Sequence, residues 1–374
     1  MSLLLAAEEP PRVIRQQFEF RFTGNAVEYF GIWIVNLFLS IITLGIYSAW
    51  AKVRKKRYFY GHTWVADCNF EYHGNPVAIL KGRIIAVLAL GIYSGAGYYS
   101  PKLAQVILLL LVILAPWLIV RSMAFNAVNS SYRQIRFHFK AGYQEALRAI
   151  WPFTLVVFAA FFMPEIEPEQ PRMLDTDEWL LLFAPTVIVL CIYPYVMGAI
   201  KRLHISHSAY GAAAMTFSAS IGDFYRVYIT AWCIAAAGIL VLGLTIFFLV
   251  LIPIVGWLAI PFVYILFGAM FMGYLRAQIT NLTFNSTVLA GRVKFISSLS
   301  ARRLGKLYFV NLLAITASFG LLIPWAVVRV ARYRAQALML ESTVDFDGFV
   351  SQIGQQVSAT GEEMGEFFDV DLSL

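Results

Sequence analysis

Long apolar runs separated by short polar connectors dominate this chain. Runs of roughly 20 residues are what a helix needs to cross a bilayer, and the pattern predicts eight of them, near 30–52, 78–99, 103–122, 147–163, 179–200, 227–251, 256–275 and 305–328. The stretch from Val227 to Leu275 holds no charged residue and must contain two spans, turning near Pro253 and Gly256. The fourth run is the shortest, and Pro152 blurs its start. Met1 to Ala7 is apolar, but Glu8, Glu9, Pro10 and Pro11 follow at once, which is not a cleavable leader; the first span serves as the insertion signal.

Between the runs the period changes. Residues Phe18 to Asn25 alternate apolar and polar positions, as a half-buried strand does. The ending Phe20-x-Phe22-x-Gly24-Asn25-x-Val27 returns as Phe70-x-Tyr72-x-Gly74-Asn75-x-Val77, with weaker echoes at Phe137-x-Phe139, Phe217 and Phe295. Each connector is therefore expected to carry a short β-hairpin. Two strands alone are marginal in water, so the connectors are expected to pair into a shared sheet or ring. The fold class is an all-α polytopic membrane protein of about eight helices in internal repeats, with β-hairpins in its cytoplasmic connectors. Residues 1–29 form an N-terminal arm, 30–334 the membrane domain and 335–374 an acidic tail.

The repeat is visible at fixed spacing. An aromatic residue is followed four places later by arginine at Trp50/Arg54, Trp117/Arg121 and Trp325/Arg329. At one constant offset Asn36 matches Asn311, Gly45 matches Gly320, and Trp50, Arg54, Arg57 and Tyr58 match Trp325, Arg329, Arg332 and Tyr333. A polar residue recurs upstream of the strands at His62, Asn129, His207 and Asn281, and Arg57, Arg202 and Arg276 precede three of these by five residues. Exchange of His for Asn at one position suits a side chain that caps a turn or bonds a backbone group.

Composition agrees with a membrane: 60% of residues are hydrophobic and 14% charged, against about 45–50% and 25% in soluble domains. Of the 29 Lys and Arg, only Lys102 and Arg172 lie opposite the connectors, where the 164–178 loop is acidic. The positive-inside rule then places both termini and every connector in the cytoplasm, and an even number of spans agrees. The net charge of +7 hugs the span ends, where it meets anionic headgroups, and does not point to nucleic acid. Cys68, Cys191 and Cys233 form no ligand pattern. After Arg334 the charge turns acidic with Ser, Gly and Gln, which reads as a mobile tail.

The segment Thr43-Leu-Gly-Ile-Tyr-Ser-Ala-Trp50, with Phe20-Arg-Phe-Thr-Gly24 before it and Arg57-Tyr-Phe-Tyr60 after it, resembles the bacterial YjgN family. The resemblance runs over essentially the whole chain. It implies a multi-pass inner-membrane protein and supplies no reaction, cofactor or catalytic residue. It also implies a candidate partner, a membrane zinc metallopeptidase encoded beside relatives.

Chemistry-bearing motifs are sparse. The chain has no phosphate loop, His-Glu-x-x-His helix or Gly-x-Ser-x-Gly elbow. His204 and His207 have metal-ligand spacing but no cysteine or carboxylate nearby, so neither a metal nor a cofactor is expected, and the chain does not read as an enzyme. The span centres carry no ionisable group, which argues against ion coupling. Asn36 and Asn311 are the notable polar residues there, expected either to bond between helices or, facing each other, to line a path. The Trp50/Arg54, Trp117/Arg121 and Trp325/Arg329 pairs are expected to anchor at the interface and contact membrane lipids. Three functions stay open: non-ion-coupled handling of an uncharged or lipid-like molecule; a non-catalytic scaffold for a partner such as a peptidase; and, last in rank, an enzyme with a site in the connectors, for example at His62, His207 and Asp67.

Overall fold

A computed structural model describes residues 15–160, 176–250, 252 and 255–369. Residues 164–175 of the acidic 164–178 loop and the end of the fourth expected span fall outside them. The chain opens with β1 (Gln16–Glu19) and β2 (Arg21–Phe22), then α1 (Ala26–Ile42), α2 (Ser48–Gly61), and the hairpin β3 (Thr63–Val65) and β4 (Cys68–Tyr72). Helices α3 (Pro76–Tyr99) and α4 (Pro101–Val128) lead to β5 (Ser130–Tyr132) and β6 (Ile135–Phe139). Helices α5 (Tyr143–Ala160) and α6 (Thr176–Ser206) precede β7 (Ser208–Tyr210) and β8 (Ala213–Phe217). Next come α7 (Ile221–Val250), α8 (Val255–Asn285), β9 (Thr287–Leu289) and β10 (Val293–Ser297). The chain continues with α9 (Ala301–Ala317), α10 (Ile323–Gln336), β11 (Leu338–Ser342) and α11 (Phe346–Asp369).

The connectors do share one sheet. Its eleven described strands run in the order β1-β11-β10-β9-β8-β7-β6-β5-β4-β3-β2, every pairing antiparallel. The two ends of that order, β1 and β2, are one stretch of chain broken only at Phe20. The sheet therefore curls round and meets itself. Tight turns make the hairpins: the two-residue turns Ala66–Asp67 and Arg133–Gln134, and the three-residue turn that begins Ala290–Gly291, all place these residues at positive φ, as turns that match strand twist require. Because every connector lies in this ring, each helical hairpin leaves the ring and returns to it. Contacts run from each helix to the next, and α1 packs on α10, so the helices also close a circle.

Two predicted spans are corrected here. The 30–52 and 305–328 runs are not continuous helices; each breaks into a hairpin, α1–α2 and α9–α10. Gly45 and Gly320 sit at φ +91° and +92°, preceded by Leu44 and Phe319 at +50° and +49°. The Gly45 and Gly320 amides donate to Ser40 O and Ile315 O at 2.7 and 2.8 Å, satisfying carbonyls a helix end leaves open. Thr43 and Ser318 hydroxyls accept from the Tyr47 and Leu322 amides at 2.9 and 3.1 Å, starting the return helix. A single crossing at either end would have put that terminus on the face opposite the connectors. The turns instead keep β1 and β11, the outermost described strands, together in the ring. Helices of 17 and 14 residues reach roughly 25 and 21 Å, short of the ~30 Å hydrocarbon core. Their tips are apolar and bare: Leu44 is 95% exposed and Phe319 98%.

Five other helices, α3, α4, α6, α7 and α8, are long and apolar enough to cross a membrane, and their apolar side chains face outward. Inside the ring, alternate strand residues such as Val65, Tyr132, Tyr210, Leu289, Val293 and Leu340 form the core. Tyr210 donates to Tyr132 O at 2.9 Å and Tyr132 to Val65 O at 2.8 Å. Burial pushes the Tyr132 phenol up to about 12 and raises that of Tyr210 as well.

The acidic tail is also corrected: residues 338–342 are a strand and 346–369 a helix. Phe346, Phe349, Val350 and Ile353 recur at helical spacing and bury one face of α11 in the ring core. Asp345 caps the start, accepting from Gly348 N at 2.9 Å, and Arg133 pairs with Asp347 at 2.6 Å. At Gly211, φ +54°, a Cβ would come within 2.6 Å of Ile353 and 2.9 Å of Val357. Only glycine admits the helix so close.

Candidate functional site

Each terminal hairpin ties its two helices together through one asparagine and one arginine. Asn311 is buried (5% exposed), and its Oδ1 accepts from Arg329 Nη1 at 3.0 Å while its Nδ2 donates to Ala326 O at 3.2 Å. Asn36 (7% exposed) accepts from Arg54 at 3.5 Å, and Arg54 also donates to Tyr47 Oη at 3.1 Å. Each asparagine thus bonds within its own hairpin. The Arg329 guanidinium lies 4.3 Å from the Trp325 ring and that of Arg121 5.8 Å from Trp117. Trp50 instead stacks on Tyr47, 6.1 Å between centroids. Tyr58 and Tyr333, whose roles spacing did not reveal, tie each hairpin's return helix to its start. Tyr58 Oη accepts from Asn25 N and donates to Asn25 O; Tyr333 Oη does the same with Ser300.

A cleft of about 650 Å³ lies where the first and last hairpins meet α8. Its wall is Gly268, Ala269 and Met272 from α8, Leu312 and Ile315 from α9, and Val327 and Val330 from α10, with Phe59 and Tyr308. Asn311 lines it, and Asn36 is not among its lining residues. A Cβ at Gly268 would meet no atom within 4 Å, so the wall is open there. Lys55, Arg276 and Arg334 also line the cleft. They come from three distant segments, and no spacing rule could have grouped them.

The helix-to-strand junctions explain the repeated polar positions. His62 Nδ1 donates to Tyr58 O at 2.8 Å, Asn129 Nδ2 to Phe125 O at 2.7 Å, and His207 Nδ1 to Leu203 O at 3.0 Å. Each caps the end of its helix, as His/Asn exchange suggested. The carbonyls of these residues accept from Thr23, His73 and Lys140 at 3.0, 2.8 and 2.9 Å. Ser218 to Ser286 O and Ser298 to Ala337 O, both at 2.9 Å, make the same bond at the last two junctions. The equivalent of His62 is therefore Ser286, and Asn281 is corrected by five residues. It occupies instead the position of Arg57, Arg202 and Arg332. Arg57 donates to Tyr72 O at 3.3 Å, Arg202 to Ala219 O at 2.9 Å and Arg332 to Gly24 O at 3.1 Å. Asn281 Nδ2 makes that contact to Leu299 O at 3.0 Å. Among the described residues no group of three or more His, Cys, Asp or Glu is placed to hold a metal.

The chain belongs to the family described as bacterial protein of unknown function, DUF898, the YjgN family, whose model matches residues 17–367. It is 30% identical over 134 residues to "Inner membrane protein YjgN" of Salmonella typhimurium (strain LT2), covering 35% of this chain and 32% of that protein. It is 27% identical over 226 residues to the protein of that name from Escherichia coli O157:H7, covering 58% and 54%. With that of Escherichia coli strain K12 it shares 30% over 148 residues, covering 39% and 34%. The chain thus spans about a third to a half of the length of the curated relatives it matches. No solved structure matches. With its outward-facing apolar helices, this makes the chain a multi-pass integral protein of the bacterial inner membrane.

Proposed function

We propose that the protein takes up a lipid-like molecule from the inner membrane, without ion coupling, in the cleft between its first and last hairpins. The carrying observation is that cleft: about 650 Å³, walled by aliphatic side chains, open at Gly268 and bounded by two helical hairpins too short to span the bilayer. Pockets of this size suit a ligand of several hundred daltons. The recurring junction bonds support five copies of one unit, a strand, a helical hairpin and a strand, arranged in a ring. In this reading six helices, α3 to α8, cross the membrane, and the two terminal hairpins enter and return. The basic connectors support a cytoplasmic ring and cytoplasmic termini.

The test is mass spectrometry of the protein extracted in native lipid. A retained lipid or other amphiphile, lost in Gly268→Trp, supports the reading. A stoichiometric protein partner with no retained small molecule moves it to the scaffold alternative, for which a membrane peptidase is the candidate partner.

A further inference from the structure

We infer that the occupant of this cleft is an anionic phospholipid, its phosphate held by Lys55, Arg276 and Arg334 and its acyl chain laid along the α8–α9–α10 wall; this rests on the lipid-handling reading above. The cleft is graded along its axis. Counted back from the strands at 1.5 Å per residue, the three cations lie within roughly 16 Å of the ring. Gly268, Met272, Leu312 and Ile315 lie roughly 22–28 Å from it. One end is therefore charged and the other apolar, which is the order of a headgroup and its chain.

The charge is also unbalanced. Among the described residues Lys55, Arg276 and Arg334 form no ion pair, and the cleft lining contains no Asp or Glu. Lys201, on α6, feels the positive charges of Arg276 and Arg334 and brings a fourth cation to the same region. Like charges held on one exposed, basic stretch of the cleft repel, and a phosphate group reduces that repulsion. Two of the three are arginines, whose planar forks match phosphate oxygens in pairs. Three cations from α2, α8 and α10 line this one cleft, together with its apolar wall. A free inorganic anion explains the cations but not four apolar residues at the far end.

The full chain is reconstituted in phosphatidylcholine nanodiscs containing increasing phosphatidylglycerol and released into native mass spectrometry. Expected is one phosphatidylglycerol retained in preference to phosphatidylcholine by at least tenfold. Lys55→Gln/Arg276→Gln/Arg334→Gln should abolish the preference while still retaining phosphatidylcholine, and Gly268→Trp should lose both lipids. Arg276→Lys/Arg334→Lys keeps the charge and should keep part of the preference; it serves as the folded control should the glutamine variant aggregate. Equal retention of the two lipids by the wild type overturns the anionic-headgroup inference and leaves lipid handling standing. Retention of neither lipid overturns both. Binding of inorganic phosphate alone by delipidated protein, with no lipid preference in nanodiscs, assigns the cations to a soluble anion and also overturns it.

Discussion

Arg329 reaches back across the last helical hairpin to donate to Asn311 at 3.0 Å, and Asn311 passes the contact on to Ala326 O. The side chain sits in an apolar environment with both its polar ends used. Asn311→Ala would leave a half-buried guanidinium edge and a carbonyl without partners, a loss of about 1–2 kcal/mol. Asn36→Ala should cost less, because its bond to Arg54 is 3.5 Å. Thermal unfolding in detergent measures both. An Asn311/Arg329 double-mutant cycle should show coupling; additive losses there would mean the pair does not act as a unit.

The hairpin tips give a second expectation. Gly45 and Gly320 hold φ values that L-residues adopt at about 1–2 kcal/mol. Gly45→Ala and Gly320→Ala should each destabilise by about that much, while Gly82→Ala, inside α3 with no atom within 4 Å of a Cβ, should not.

If the terminal hairpins enter and return, their tips stay in lipid. In a chain lacking its three cysteines, Leu44→Cys and Phe319→Cys should resist a membrane-impermeant maleimide added from either side. Ala66→Cys, in a ring turn, should react only from the cytoplasm. Labelling of Leu44→Cys and Phe319→Cys from the periplasm would show instead that each terminal hairpin reaches through the bilayer and that both of its helices cross.

Much of this fold was legible. The charge-free run 227–275 became α7 and α8, and period-two alternation marked the strands. The broken terminal helices were not, because Leu44, Gly45 and Ile46 are as apolar as the span around them; the signal was the matched Gly45 and Gly320. Asn281 was misplaced because an asparagine does an arginine's work there and Ser286 stands where His or Asn was sought. The tail helix was masked by its acidic residues, although Phe346, Phe349, Val350 and Ile353 spell one helical face. The cleft was illegible for a different reason: Lys55, Arg276 and Arg334 converge only once the ring closes.

The tail helix should be a seated element. Limited proteolysis should spare residues 346–357 in the wild type and cut them in Gly211→Val, whose side chain would strike Ile353 and Val357 and is strained at φ +54°. Asp347→Asn should have a smaller effect. Its carboxylate is largely exposed, so the 2.6 Å pair with Arg133 adds at most about 1 kcal/mol.

Ring closure offers the sharpest contrast. Four neighbouring pairs of hairpins are joined by covalent β-turns, but the last and the first meet through non-covalent contacts alone: α1 on α10, β1 on β11, and Arg332, which donates to Gly24 O at 3.1 Å. Arg57, the counterpart of Arg332, donates at 3.3 Å to Tyr72 O, two residues before the counterpart of Gly24, across a covalent junction. A chain link holds its partners at high effective concentration even when a hydrogen bond is lost; the unlinked junction has no such reserve. Arg332→Ala should therefore expose the β1–β11 seam to amide exchange by about tenfold or more, while Arg57→Ala leaves the β3–β4 junction protected. Exchange rising equally at both places would show that the seam is no weaker than the turns, and that covalent order contributes nothing to how the ring is held.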